Sequence, residues 1–400
     1  MTQDSIIGQP LPAWTPGGLD IHHINTGKGN AALFILPDGT TLLVDAGELD
    51  PTDPRNSGPR VAPPRPDGSR PPGEWIARYI RRMVAHQEQP ALDYVLITHF
   101  HDDHLGHPSD LSARSKLGAY RLSGITEVAE HVPIRKLLDR AWPTYDYPAP
   151  IDKEVVNNYR AFLEWHIENR GLAVERFTPG RNDQLVLQYA PARFPNFEIR
   201  NLAANGEVWT GLHTNTRQHF PPLEHLSPDQ YPGENECSIA FRLSYGRFDY
   251  FAGADLTGVL ELDTPLWYDL ETPLAQVIGP VEVSVVNHHG NRSSANEYLL
   301  RALRPRVHIL QTWSSDHPGN GVLRRLLSTK LYPGPRDIFA TNILEANKLV
   351  IGERLEQLAA DQGHIVVRVA PGGGQFQVIV LDDADELDVV KSVHGPYESR

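Results

Sequence analysis

Short apolar runs interrupted by turn residues set the pattern of this chain. Leu19 to Ile24, Ala31 to Leu36 and Thr41 to Val44 predict strands, the last two separated by a turn at Pro37-Asp38-Gly39. From Gly73 the spacing becomes helical, with Trp75, Ile76, Tyr79, Ile80 and Met83 on one face. Tyr94-Val95-Leu96-Ile97 then reads as a buried strand. Residues 127–140 predict a helix, and Val155 to Arg170 another, with Val156, Tyr159, Phe162, Leu163 and His166 along one side. Strand-like runs follow at 185–187, 197–202, 238–243, 248–252, 281–286 and 307–311. A helix over 349–362 precedes a hairpin, 365–369 and 376–381, turned by Pro371-Gly372-Gly373-Gly374. The acidic segment after Asp382 reads as solvated, and no internal repeat is present.

The polar residues fall where those strands stop. Behind Ile97 comes Thr98-His99-Phe100-His101-Asp102-Asp103-His104, three histidines and two aspartates emerging together from a buried strand. Packed so tightly, imidazoles and carboxylates call for a cation, with zinc, manganese or iron as the usual candidates; a solvated polar loop is the competing reading. Three more strands repeat the theme, delivering Asp255, then Asn287-His288-His289-Gly290, then Thr312-Trp313-Ser314-Ser315-Asp316-His317. Loop composition does not explain such a recurrence. Asp45, at the end of the third strand and before Ala46-Gly47, has two readings of equal weight. It either orients a metal-bound histidine through its free ring nitrogen or simply forms a turn.

Composition narrows the alternatives. At 400 residues, 40 % apolar and 22 % charged, the chain can bury a large core, and 34 Pro with 32 Gly imply many loops. We expect one domain over 1–400 carrying two additions: a Pro-rich loop at 51–73 and a mainly helical insertion at 108–180 that walls the substrate pocket. The loop's Arg55, Arg60, Arg65 and Arg70 read as solvated linker charge rather than as a cationic wall over a site. His131 and His166 read as helix-surface residues, not ligands. A net charge of −13 argues against extended nucleic acid as partner. Cys237, the sole cysteine, excludes an internal disulfide and reads as a buried, inert thiol. No apolar run approaches the roughly 20 residues of a membrane span. The first thirty residues do not resemble a secretory signal, so the cytoplasm is the expected compartment.

His99, His101, Asp103 and His104 fill the His-x-His-x-Asp-His signature, and with Asp45-Ala46-Gly47, Gly253-Ala254-Asp255 and His288-His289-Gly290 the chain resembles the metallo-β-lactamase superfamily. Gly27-Lys28-Gly29-Asn30 and Asn235-Glu236-Cys237-Ser238 make it most similar to the hydrolase domain of competence DNA-uptake proteins and its free-standing relatives. The resemblance covers roughly 19–320 and implies an α/β fold, a four-layer αββα sandwich with helical and loop insertions. It further implies two divalent metal ions, zinc foremost, with manganese or iron as alternatives. His99 and His101 would bind the first, Asp103, His104 and His289 the second, and Asp255 both; His288 is the alternative to His289. The first metal's third histidine departs from the pattern. His213 is the first choice, with His219 and His225 behind it. The implied activity is hydrolysis by a metal-bound hydroxide on a phosphodiester-type or other small substrate, with catalytic roles for Asp103 and Asp255. His317, at its own strand end, has two readings of equal weight, a catalytic group that stabilises or protonates and a structural loop residue. A lactone, thioester or amide hydrolase, or a metal-binding protein without turnover, are the alternatives.

Overall fold

In the computed structural model, which describes residues 6–262 and 264–400, two large mixed sheets lie face to face. The first six strands are β1 (Leu19–His23), β2 (Ala32–Ile35), β3 (Thr41–Val44), β4 (Leu92–Leu96), β5 (Ile134–Asp139) and β6 (Ala173–Arg176). Next come β7 (Phe197–Ala204), β8 (Glu207–Trp209), β9 (Thr216–Gln218), β10 (Ala240–Tyr245), β11 (Phe248–Ala252), β12 (Val283–Val285), β13 (Val307–Leu310) and β14 (Asp337–Ala340). The last three are β15 (His364–Val369), β16 (Gln375–Leu381) and β17 (Val390–Glu398). One sheet runs β17-β16-β15-β1-β2-β3-β4-β5-β6 and the other β14-β13-β12-β11-β10-β7-β8-β9.

Alternation along the strands explains the layers. In β2, Ala32 and Phe34 face the second sheet, while Leu33 and Ile35 face outward onto helices. The outward face of the first sheet is covered by α1 (Pro72–Met83), α3 (Ile125–His131) and α4 (Glu154–Arg170). The second sheet is covered by α5 (Glu271–Ile278), α6 (Glu297–Leu303), α7 (Asn320–Leu326) and α8 (Glu345–Ile351). A one-turn helix, α2 (Asp102–Leu105), carries the second half of the histidine motif. The result is the expected four-layer αββα sandwich. Among the described residues no helix is long and apolar enough to cross a membrane.

Parallel pairing places the site. β3, β4, β5 and β6 run parallel, as do β11, β12, β13 and β14, so the C-terminal ends within each set lie together. Asp45, the histidine motif, Asp255, His289 and His317 all follow such ends, where backbone leaves the ladder and side chains converge.

Four elements differ from expectation. The helix read over 127–140 stops at His131, because Pro133 cannot continue it, and Ile134–Asp139 instead pairs with β4. Residues 108–180 hold the helices α3 and α4 and also supply β5 and β6 to the sheet. The helix expected over 349–362 starts earlier, as an α-helix over Glu345–Ile351, and after Gly352 takes φ +67 it continues as a short 3-10 helix to Gln357. Beyond Asp382 the chain is not a solvated tail, since β17 forms a sheet edge, Asp383 is fully buried and Glu386 pairs with Arg78 and Arg82. Leu185 and Leu187 fill the core between the sheets without forming a strand.

Candidate metal centre

The site assembles from strand ends in two groups that share one carboxylate. Asp103, His104, Asp255 and His289, all buried, offer donor atoms within 4.8 Å of one another, and His99, His101 and Asp255 do the same. Asp255 stands between them. Its Oδ1 lies 3.1 Å from His104 Nε2, and its Oδ2 lies 3.3 Å from His289 Nε2 and 3.9 Å from His99 Nε2. Asp103 Oδ2 meets His289 Nε2 at 2.9 Å, and His99 Nε2 faces His101 Nδ1 at 3.1 Å.

Local backbone aims these groups. His288 and His289 take left-handed φ of 50° and 55°, which turns consecutive rings out of the strand's alternation towards the site. Ala254, at φ 46°, does the same for the segment leading to Asp255. Gly47 has no room for a side chain, since a Cβ there would lie 1.9 Å from the Asp103 carbonyl oxygen.

Whether divalent cations suit these residues is decided by the ring nitrogens. Asp45 Oδ2 accepts from His104 Nδ1 at 2.7 Å, and the Gln311 carbonyl accepts from His289 Nδ1 at 2.9 Å. With those protons placed on the outer nitrogens, both Nε2 lone pairs point inward, 3.4 Å from each other and against carboxylate oxygens. Asp255 Oδ1 is buried without a hydrogen-bond partner. Facing lone pairs and an orphaned anion repel unless a cation lies between them, which is the arrangement that imidazole and carboxylate ligands adopt around a metal.

With protons as the only cations, the same electrostatics shows as shifted equilibria. Burial works against charging His289, yet Asp255 and Asp103 outweigh it and lift the imidazole to about 10; His104 is raised well above its usual range in the same way. Burial alone would raise Asp103 and Asp255, but the neighbouring histidines hold both carboxyls below the ordinary range. His99, buried beside His104, is pushed well down.

Asp45 thus has the orienting position of its two readings: it also accepts from the Thr98 amide and hydroxyl, both at 2.8 Å. His288 stays at the margin, its Nε2 3.9 Å from Asp255 and 3.2 Å from the Asn235 amide. His317 stacks on His289, centroids 4.7 Å apart and planes 19° from parallel, so it adjoins the cluster without facing its carboxylates. His213 is not brought to the cluster. It sits exposed on a turn whose carbonyl accepts from Trp209 Nε1 at 2.9 Å, a loop held by its own sheet edge. His219 and His225 lie in the same stretch of loop and likewise join neither group. His131 is exposed and bonded to Glu127, whereas His166, expected on a helix surface, is buried against Tyr120, whose hydroxyl meets its Nε2 at 3.0 Å.

Sequence reasoning missed the buried pair of Arg140 and Glu234. Glu234 Oε2 accepts from the Phe100 amide at 3.0 Å and so fixes the backbone between His99 and His101. The two residues are 94 positions apart, and nothing local marks either. Cys237 is buried, which pushes its thiol up to about 12, and it stands outside the cluster. Of the loop arginines, Arg55 is paired with Asp53, Arg70 with Glu74, and Arg65 lies 3.9 Å from Asp383.

No family model matches the sequence, and no curated protein matches it. Among solved structures, the chain is similar to CmlA, a diiron beta-hydroxylase from Streptomyces venezuelae, at 12 % identity and a TM-score of 0.39. That alignment covers 90 % of this chain and 55 % of the other, so this chain spans little more than half the length of its structural neighbour.

Proposed function

We propose that the protein is a dinuclear metal-dependent hydrolase acting on a phosphodiester-type substrate. The observation that carries this reading is Asp255, common to both donor groups, with Oδ1 3.1 Å from His104 and Oδ2 3.3 Å from His289 of one group and 3.9 Å from His99 of the other. His99 and His101 would hold one ion, Asp103, His104 and His289 the other, with Asp255 shared. Zinc suits such nitrogen and oxygen donors; manganese and iron suit them also. When bound, two divalent ions supply Lewis acidity and bring a shared water close to ionisation at neutral pH.

The chain's own residues do the rest. Asp103, in contact with His289, orients the attacking water or accepts its remaining proton. His317, packed on His289, offers a ring N–H to charge that develops on the substrate. Asp45 keeps His104 in the tautomer that directs Nε2 inward. The phosphodiester preference rests on the sequence resemblance to competence-type hydrolases, with lactone, thioester and amide substrates as the tested alternatives.

The test is chelation, reconstitution with zinc, manganese or iron, and assay against bis(p-nitrophenyl) phosphate, a chromogenic lactone, a thioester and a chromogenic amide. Turnover of the phosphodiester that is lost on chelation and restored by metal is the expected result. Full metal loading with no turnover of any of them would overturn the hydrolase reading.

A further inference from the structure

A cavity of about 580 Å³ lies beside the histidine motif, walled by segments that run directly out of the site. Asn30 donates its amide to the Asp103 carbonyl at 2.7 Å, and Glu48 donates to the Asp102 carbonyl at 2.9 Å. The turn holding Lys28 and the stretch after Asp45 are therefore tied to the backbone that presents Asp103. The remaining wall comes from residues that follow α2, among them Ser109 and Ser112, and from the Pro-rich loop at Asn56 and Pro64 to Pro72.

The charges in this cavity are unevenly matched. Arg70 is committed to Glu74. Glu48 turns its carboxylate to the amides of Gly124 and Gly73, Asp50 faces Thr52 and His107, and Glu127 bonds to His131. Lys28 is different. Its half-buried ammonium has a single weak contact, the Asn56 carbonyl at 3.4 Å, and no carboxylate of the described residues within ion-pair reach. An ammonium partly withdrawn from water without a counter-charge is costly, and burial accordingly lowers the Lys28 pKa. Its one weak contact leaves that cation largely unspent, and a pocket lined in good part by Leu and Pro side chains with one such convergent charge is the form that ligand sites take.

We propose that this cavity binds an anionic group of the substrate, a phosphate or carboxylate remote from the bond cleaved, with Lys28 as its counter-charge and the Pro-rich loop as its outer wall. The word substrate rests on the hydrolase reading; the anion site itself does not.

Amine acylation mapped by mass spectrometry on the chelated full-length protein tests the site without calling on activity. The other six lysines are internal controls. Inorganic phosphate or acetate at millimolar concentration is expected to slow acylation of Lys28 selectively. Protection by phosphate alone identifies a phosphate-bearing ligand, and protection by both anions a carboxylate-tolerant one. Unchanged Lys28 labelling in both would overturn the proposal. In the metal-loaded protein, Lys28→Ala should raise KM about tenfold or more for a diester carrying a second anionic group, leave kcat nearly intact, and spare bis(p-nitrophenyl) phosphate. Equal effects on both substrates would contradict a remote anion site. Phosphate protection in a protein that hydrolyses nothing would refute the hydrolase reading and leave the anion site standing.

Discussion

His22-His23 and His288-His289 are both adjacent histidine pairs that belong to or follow a buried strand, yet the fold gives them opposite surroundings. The first pair lies inside β1, with a strand bonded on either side. His22 Nδ1 meets the Tyr79 hydroxyl at 2.9 Å, its neighbour Asp20 is held by Arg368 at 2.6 Å, and neither nitrogen of His23 has a hydrogen-bond partner. Burial pushes both rings down to about 4. The second pair follows the end of β12 in left-handed backbone, where His289 ties one nitrogen to the Gln311 carbonyl and turns the other to two carboxylates. A buried imidazole is arranged to accept a cation when its outer nitrogen is fixed and its inner one meets other donors; burial by itself only keeps it neutral.

Substitutions can break this contrast at several scales. The largest effect is expected from His101→Ala or Asp103→Ala, which should remove bound metal, measured by elemental analysis, and bring hydrolysis to background. Metal-free mutant protein that stays active would sink the assignment. Asp45→Ala removes the acceptor that orients His104, and a loss of about 10–100-fold in metal affinity should follow in a competitive chelator titration.

On the other side of the contrast, acid should unfold the protein through the first pair. His22, His23 and His364 each have a folded pKa of about 4, below the usual 6.5, so the unfolded chain binds more protons as pH falls. Their contribution is fully present above pH 6.5 and is lost as pH drops towards 4, at up to roughly 3 kcal/mol for each group. Glu48 and Glu271, both raised to about 7 by burial, act in the opposite direction over part of that window, so the test is chemical denaturation of His23→Leu beside the parent protein. An unchanged acid slope would contradict the burial assigned to that ring. The smallest effect is His23→Leu: metal content unchanged, stability neutral to about 1 kcal/mol higher, and a shallower acid slope. Loss of metal in that variant would erase the distinction between the two pairs.

The site was legible where chemistry and periodicity coincide. An apolar run followed by His99, His101, Asp103 and His104 announces itself, and Asp255 and His289 repeat the pattern at other strand ends. Asp45 was legible only as a choice between turn and support, because the deciding fact, its 2.7 Å contact with His104, joins residues 59 apart. His213 was favoured for its position in a polar segment before Asp255, a criterion that says nothing about which way a loop folds. β5 was read as helix because Ile134, Leu137 and Leu138 fit either period, and only pairing with β4 selects the strand. The edge strand β17 escaped notice because its exposed side is polar, and its pairing with β16 is a tertiary fact.

Stoichiometric reconstitution tests the central claim most directly. Chelated protein titrated with zinc should take up two equivalents per chain, with phosphodiesterase activity appearing as the second site fills, and Asp255→Ala should disturb both sites together. Saturation at a single equivalent, or an Asp255→Ala protein that keeps two ions and full turnover, would contradict a shared carboxylate at the heart of the site.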